Sequence, residues 1–226
     1  MRGALIDFGG TVDTDGIHWM QLFRMAYQSC GLSTDGLRDA YVYAERTLGR
    51  NAVITPETTF RDTIRTKLEL QLEYMRMKAD SLQLLDFCYG YVTENIRNVS
   101  APVLTELSER MPLVLVTNFY GNMHTVLREF GLDACFTDVV ESSAVGVRKP
   151  DPEIFRIGAS RLGMQPSEVV AVGDSPDKDM IPAKAAGCRT VWLSGKGWSD
   201  DVSCSPDRVI SSLAELAGQG FSAASR

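Results

Sequence analysis

Residues 169–187 read VVAVGDSPDKDMIPAKAAG. A β-branched apolar run stops at a glycine. Acids and a proline crowd the next six positions, and a short alanine-rich helical pattern follows before Gly187. A run that is apolar at nearly every position, rather than at alternate ones, suits a strand covered on both faces, as in a parallel sheet. Runs of the same character occur at 2–8 (RGALIDF), Leu113–Thr117 (LVLVT), Asp138–Glu141 (DVVE) and Thr190–Leu193 (TVWL). Helical patterns separate them at Val103–Met111, Met123–Phe130, Glu153–Leu162 and Ile181–Ala186. This alternation predicts an α/β fold, a doubly wound Rossmann-like parallel sheet with right-handed crossovers.

The stretch from 16 to 95 reads differently. Trp19, Leu22, Phe23 and Ala26 recur at helical spacing, as do Phe60, Ile64, Leu68 and Leu72. Asp80–Asn95 repeats the pattern, with Leu84, Leu85, Cys88 and Tyr91 on one face. Gly31, and Gly49 with Asn51, read as helix stops; Ser33, Thr34 and Thr55-Pro56 read as starts. A four-helix insert over 16–95 is expected between segments 1–15 and 96–226, which share the sheet. The tail after Gly218 is expected to fray.

Composition narrows the classes. With 44% hydrophobic and 23% charged residues, the 226-residue chain is neither disordered, collagen-like nor a coiled coil. It holds no apolar run of about 18 residues that would span a membrane. Met1–Phe8 is too short for a secretion signal, so a cytoplasmic protein without membrane contact is expected. The net charge of −6 and scattered Arg and Lys argue against nucleic acid. Five dispersed cysteines with no C-x-x-C argue against a disulfide framework or a zinc site.

In open α/β sheets, ligands sit at the carboxyl ends of strands. There the sequence places Asp7-Phe8-Gly9-Gly10-Thr11, Thr117-Asn118, Gly173-Asp174 through Asp179 and, between them, Arg148-Lys149-Pro150. Carboxylates, a hydroxyl and a lysine at one sheet edge make a hard oxygen site suited to Mg²⁺, with substrate phosphate completing its coordination. Gly9 and Gly10 read as a tight turn whose backbone N–H groups face a phosphate.

DFGGT, VTN, RKPDP and GDSPDKDMIPAKAAG, in this order and spacing, resemble the four motifs of the haloacid dehalogenase superfamily. The helical insert resembles the small cap of its first subfamily. The resemblance implies a Mg²⁺-dependent phosphatase of small phosphorylated metabolites; the sequence leaves a monomer or a homodimer open. It implies that Asp7 is the nucleophile and forms an aspartyl-phosphate. Thr117 and Asn118 would hold the phosphoryl group, and Lys149 would neutralise nucleophile and phosphate. Asp7, Asp174 and Asp179, with the backbone carbonyl at Gly9, would make up the metal site.

One position departs from the pattern. Phosphatases of this superfamily carry a second Asp, an acid and base, where this chain has Gly9. Loss of such a group typically costs 10²–10⁴-fold in rate. Either another residue substitutes, or the leaving group needs no acid, or the protein is a weak or inactive relative that binds phosphorylated ligands or a partner. His18 is the preferred substitute because its pKa lies near neutrality, with N-capping or packing as its alternative role. Asp13 and Asp15 are the other candidate substitutes, with a turn or capping role as their preferred reading. Phosphonatases, which use an early-cap lysine, and metal-free dehalogenases also lack the second Asp. This chain has no lysine between residues 8 and 66. Lys67 and Lys78 read as solvated helix surface, as do Arg46, Arg50, Arg61 and Arg65, which might otherwise reach an anionic substrate.

Overall fold

A computed structural model describes residues 1–50, 53–195 and 204–218. Among them, six strands form one parallel sheet: β1 (Gly3–Ile6), β2 (Leu113–Thr117), β3 (Asp138–Glu141), β4 (Val169–Gly173), β5 (Arg189–Leu193) and β6 (Arg208–Ile210). Their order is β3-β2-β1-β4-β5-β6. The first five lie where the apolar runs place them. The sixth was not anticipated: it has three residues, and Val209 is 52% exposed, so no buried run marks it.

Successive side chains of a strand point to opposite faces. Leu113 and Leu115 accordingly join one apolar cluster, and Val114 and Val116 the other. All four are at most 1% exposed, and burying each such side chain stabilises the fold by roughly 1.5–3 kcal/mol. The second cluster closes with α8 (Glu153–Arg161) and α9 (Ile181–Ala186). The first runs through α5 (Ala101–Arg110) and α6 (Met123–Glu129) into four helices between β1 and β2. These are α1 (Trp19–Ser29), α2 (Leu37–Arg50), α3 (Phe60–Tyr74) and α4 (Ser81–Asn95). A further short helix, α7 (Ser142–Val145), follows β3 and was not anticipated. Gly49 lies inside α2 rather than stopping it; Asn51 and the tail after Gly218 fall outside the described residues.

The four helices are pinned to the sheet side by specific contacts. The N-terminus of α3 leaves backbone N–H groups without helical partners. Glu129 of α6 accepts from Phe60 N–H at 2.6 Å and from Arg61 N–H at 3.4 Å, and the Tyr89 hydroxyl donates to the same carboxylate at 2.9 Å. Asn122 donates to the Thr58 carbonyl at 2.9 Å. Phe8, next to Asp7, sits edge-on to Phe60 of α3 and Phe119 beyond β2, at 5.8 and 6.0 Å between centroids. The end of β1 is thereby wedged between the sheet and the helical wall. No helix among the described residues is long and apolar enough to cross a membrane.

Candidate active site

β1 and β4 are neighbours, and their carboxyl ends bring the candidate acids together. Ile6 is level with Val172, and Asp7 N–H donates to the Val172 carbonyl at 2.9 Å. Asp7 therefore emerges beside Gly173 and Asp174. Its Oδ2 accepts from the Thr11 hydroxyl at 3.0 Å, and its Oδ1 lies 2.5 Å from Lys149 Nζ. The same ammonium lies 2.5 Å from Asp179 Oδ1. Asp179 Oδ2 accepts from Ser175 N–H at 3.0 Å. Asp7, Asp174 and Asp179 each place a carboxylate oxygen within 4.8 Å of the others.

Two glycines make room for this cluster. A Cβ on Gly10, whose φ is +93°, would meet Asp174 Oδ2 at 2.3 Å; one on Gly173 would meet Asp179 Cγ at 2.5 Å. Gly9 is the contrast. Its φ is −78°, and nothing lies within 4 Å of the position a Cβ would take. The fold therefore requires glycine at residue 10 but only tolerates it at residue 9.

Three buried carboxylates share one ammonium, and their protonation reflects the imbalance. Burial pushes Asp7 up to about 6, with Lys149 opposing and Asp179 adding to the rise. Burial, then Asp179 and Asp7, hold Asp174 well above the usual carboxylate range. Burial alone would lower Lys149, but Asp179 and Asp7 outweigh it and keep the ammonium charged. The donors are oxygens, the cluster carries excess negative charge, and the packing leaves the carboxylates facing one another. Such a set fits a hard dication such as Mg²⁺.

Asp7, Gly9, His18, Thr117, Asn118, Lys149, Asp174 and Asp179 all border one cavity of about 650 Å³. Gly10 is buried, and its N–H is donated to Asp13 Oδ1 at 2.7 Å. Asn118 is tied to the backbone of Lys149: its Oδ1 accepts from Lys149 N–H at 2.9 Å and its Nδ2 donates to the Lys149 carbonyl at 3.0 Å. That clamp fixes where the Lys149 side chain starts. His18 is the N-cap of α1, its Nδ1 accepting from Met20 N–H at 3.1 Å. His18 thus takes the N-capping role, and the expectation of a near-neutral imidazole is corrected: burial, reinforced by Lys178, lowers its pKa to about 4.

Asp13 and Asp15 have structural work. Asp13 is 1% exposed and also accepts from Trp19 Nε1 at 2.6 Å, joining the loop after β1 to α1. Asp15 accepts from the Ser212 hydroxyl and from Leu213 N–H, each at 2.7 Å, and so caps the turn over Leu213–Leu216. Arg61 pairs with Asp86, and Arg65 with Asp62, on the outer surface.

Lys67 corrects the expectation of a solvated lysine. It is 7% exposed, borders the cavity, and its Nζ lies 2.8 Å from Glu45 Oε1. The ammonium also lies 5.0 Å from the Tyr120 ring centroid and 5.6 Å from that of Trp19. The Tyr120 hydroxyl donates to Glu45. Burial would raise the Glu45 carboxyl, but Lys67 and Tyr120 hold it below its ordinary value. One signal for Lys67 was present: it falls on the stripe of Phe60, Ile64, Leu68 and Leu72 that α3 buries.

Comparison with known proteins agrees with this architecture. The family model of haloacid dehalogenase-like hydrolases matches residues 1–187. The phosphoserine phosphatase of Thermus thermophilus is 40% identical over 107 residues, which cover 47% of this chain and 43% of that protein. The phosphoglycolate phosphatase of Neisseria gonorrhoeae is 35% identical over 112 residues, 47% of each. These matches span less than half of the curated relatives. The crystal structure of a HAD phosphatase from Thermococcus onnurineus superposes with a TM-score of 0.56 at 25% identity, covering 96% of both chains. With the family model covering most of its length, the chain belongs to the haloacid dehalogenase-like hydrolases.

Proposed function

We propose that this chain is a Mg²⁺-dependent phosphatase of small phosphorylated metabolites, with Asp7 as nucleophile and residues 16–95 as a cap over a core of residues 1–15 and 96–226. The observation that carries the reading is the buried cluster in which Lys149 Nζ lies 2.5 Å from both Asp7 and Asp179. Phosphoryl transfer is mainly positioning and charge stabilisation, and this cluster supplies both. In the first step an Asp7 oxygen attacks phosphorus, and the bond from phosphorus to the organic oxygen breaks, its electron pair leaving with that oxygen. In the second, water attacks phosphorus, the bond from phosphorus to the Asp7 oxygen breaks with its electron pair returning to the carboxylate, and a proton of the water passes to a phosphate oxygen or to solvent, giving inorganic phosphate. Mg²⁺, held by Asp7, Asp174, Asp179 and the Gly9 carbonyl, would neutralise charge on the phosphoryl oxygens when bound. Lys149 holds the Asp7 carboxylate in place, Asn118 fixes Lys149, and Thr117, which borders the cavity, would bind the phosphoryl group.

No carboxyl at residue 9 can protonate the leaving oxygen. His18 is the cavity residue we assign to hydrogen-bond it: with Nδ1 accepting from Met20, the neutral ring carries its proton on Nε2. A neutral imidazole is a weak acid, so substrates with good leaving groups, such as acyl or aryl phosphates, are favoured. Gly9 also supports a second reading, a slow relative that mainly binds phosphorylated ligands.

A burst and steady-state assay with p-nitrophenyl phosphate, with and without Mg²⁺, separates the two. Metal-dependent turnover abolished by Asp7→Asn is expected, and turnover that survives Asp7→Asn would end the phosphatase reading. Gly9→Asp, which the open space permits, should speed a slow second step by about 10²-fold or more. No signal in either protein would leave the binding reading.

A further inference from the structure

The loop over residues 118–122 joins β2 to α6 and forms a seam between the sheet and helices α2 and α3. Its side chains divide between the two sides. Asn118 turns to the sheet side and holds Lys149 through both its N–H and its carbonyl, at 2.9 and 3.0 Å. Phe119 N–H donates to Ser142 Oγ at 3.3 Å and Gly121 N–H donates to Glu141 Oε1 at 2.5 Å, so the loop backbone rests on the end of β3. Tyr120 and Asn122 turn the other way. Asn122 donates to the Thr58 carbonyl at 2.9 Å and to the Thr63 hydroxyl oxygen at 3.0 Å. The Tyr120 hydroxyl donates to Glu45 Oε2 on α2.

Glu45 is suited to hold Tyr120. Burial would raise its carboxyl, but Lys67, Tyr120 and, last, Lys178 hold it below its ordinary value. Hydrogen bonds to such an ionised acceptor are roughly twice as strong as neutral ones. Lys67 Nζ, 2.8 Å from Glu45 Oε1, also lies 5.0 Å from the Tyr120 ring centroid. The Glu45–Lys67 pair therefore engages both the hydroxyl and the ring of Tyr120, and two residues earlier Lys149 engages Asn118. One short loop connects the two buried lysines of the cavity. We propose that Tyr120 is a positioning residue: its bond to Glu45 holds the loop so that Asn118 keeps Lys149 at Asp7. Docking of α2 against the loop thereby sets the geometry at the strand ends. The leverage is large, because a misplacement of about 1 Å can cost 10²-fold in rate. This rests on the phosphatase reading and adds to it a residue that acts through Asn118 and Lys149, not on the substrate.

The test follows hydrolysis of p-nitrophenyl phosphate and phenyl phosphate with Mg²⁺ in Tyr120→Phe, Asn118→Ala and the double replacement. Tyr120→Phe removes one oxygen and keeps the ring. It should lower kcat/KM about ten-fold or more. The factor should be the same for both esters, because Lys149 acts on the nucleophile and the phosphoryl group, not on the leaving oxygen. In the Asn118→Ala background the same change should cost less than about two-fold, since residues acting through one another are not additive. Glu45→Gln weakens the same bond from its other end; it should also lower kcat/KM and add little to Tyr120→Phe. If Asn118→Ala is too slow to follow, the Glu45 cycle and the comparison of esters decide. A merely structural role would give equal losses in both backgrounds, and that additivity overturns the inference. An unchanged kcat/KM in Tyr120→Phe overturns it too. So does a loss larger for phenyl phosphate, which would make Tyr120 a contact of the leaving group. All three leave the phosphatase reading intact. No hydrolysis of either ester by the wild type removes that reading and the inference together.

Discussion

Two lysines are buried beside the same cavity, and they are buried differently. Lys149, 4% exposed, stands at the strand ends between two carboxylates with a third close by. Lys67, 7% exposed, stands on the helical wall with one carboxylate and two aromatic rings. Lys149 keeps its charge because Asp179 and Asp7 outweigh its loss of water, while Lys67 is paired, among the described residues, with Glu45 alone. The strand-end cluster, however, is over-supplied with acid, whereas the wall pair is closed. A cluster left with excess negative charge suits a further cation; a closed pair serves as structure. The difference separates the part of the cavity suited to chemistry from the part that shapes it.

Replacement of Lys149 should give the largest effect. Lys149→Met leaves three buried carboxylates without a cation, and breaking such a buried set typically costs about 3–5 kcal/mol. Urea unfolding without metal would measure this. A loss below about 1 kcal/mol would mean the acids are protonated in the folded state and the contrast with Lys67 is false.

Asp13 links the two regions, accepting from Gly10 on one side and Trp19 on the other. Burial pushes its carboxyl from 3.8 up to about 7. Between those values the folded chain holds a proton that the unfolded chain has released. Stability from this group is therefore full below about pH 4 and is lost as pH rises through 7. Asp13→Asn should flatten that decline by up to about 4 kcal/mol across the window, read from unfolding midpoints at pH 4.5 and 7.5. An unchanged decline would assign it to other groups.

The glycine pair gives the next effect. Gly10→Ala forces a Cβ onto Asp174 at a positive φ and should cost about 2–3 kcal/mol; Gly9→Ala should stay within about 1 kcal/mol. Equal losses would mean the loop reshapes as a unit. At the small end, Lys67→Met should cost about 1–2 kcal/mol, because the buried Glu45 Oε1 loses its cation while the other oxygen keeps the Tyr120 hydroxyl. Arg61→Ala, which breaks an exposed pair with Asp86, should stay within about 0.5 kcal/mol. If these two match, the wall pair is no more structural than a surface one.

The strands were legible because their apolar, β-branched runs are buried on both faces, as in Leu113–Thr117. β6 was not, since three residues at a sheet edge carry no such run. The strand-end acids were legible because each follows directly on an apolar run. Lys67 was legible only as a position on the buried stripe of α3; its partner Glu45 lies on a different helix, and periodicity along one helix says nothing of its neighbour. Asp15 was read as a local turn or cap residue. It does cap, but its partner Leu213 is 198 positions away, a distance no local pattern spans.

The open flank of Gly9 has a practical consequence. Where a side chain is missing and nothing fills its place, a solute of the right size can enter. Formate and acetate are carboxylic acids about as large as the group absent from residue 9. A protein assayed in acetate buffer would thus borrow a functional group from its solvent, while the same protein in an amine buffer would work without one. The choice of buffer becomes a form of chemical complementation, and rates from the two describe different catalysts.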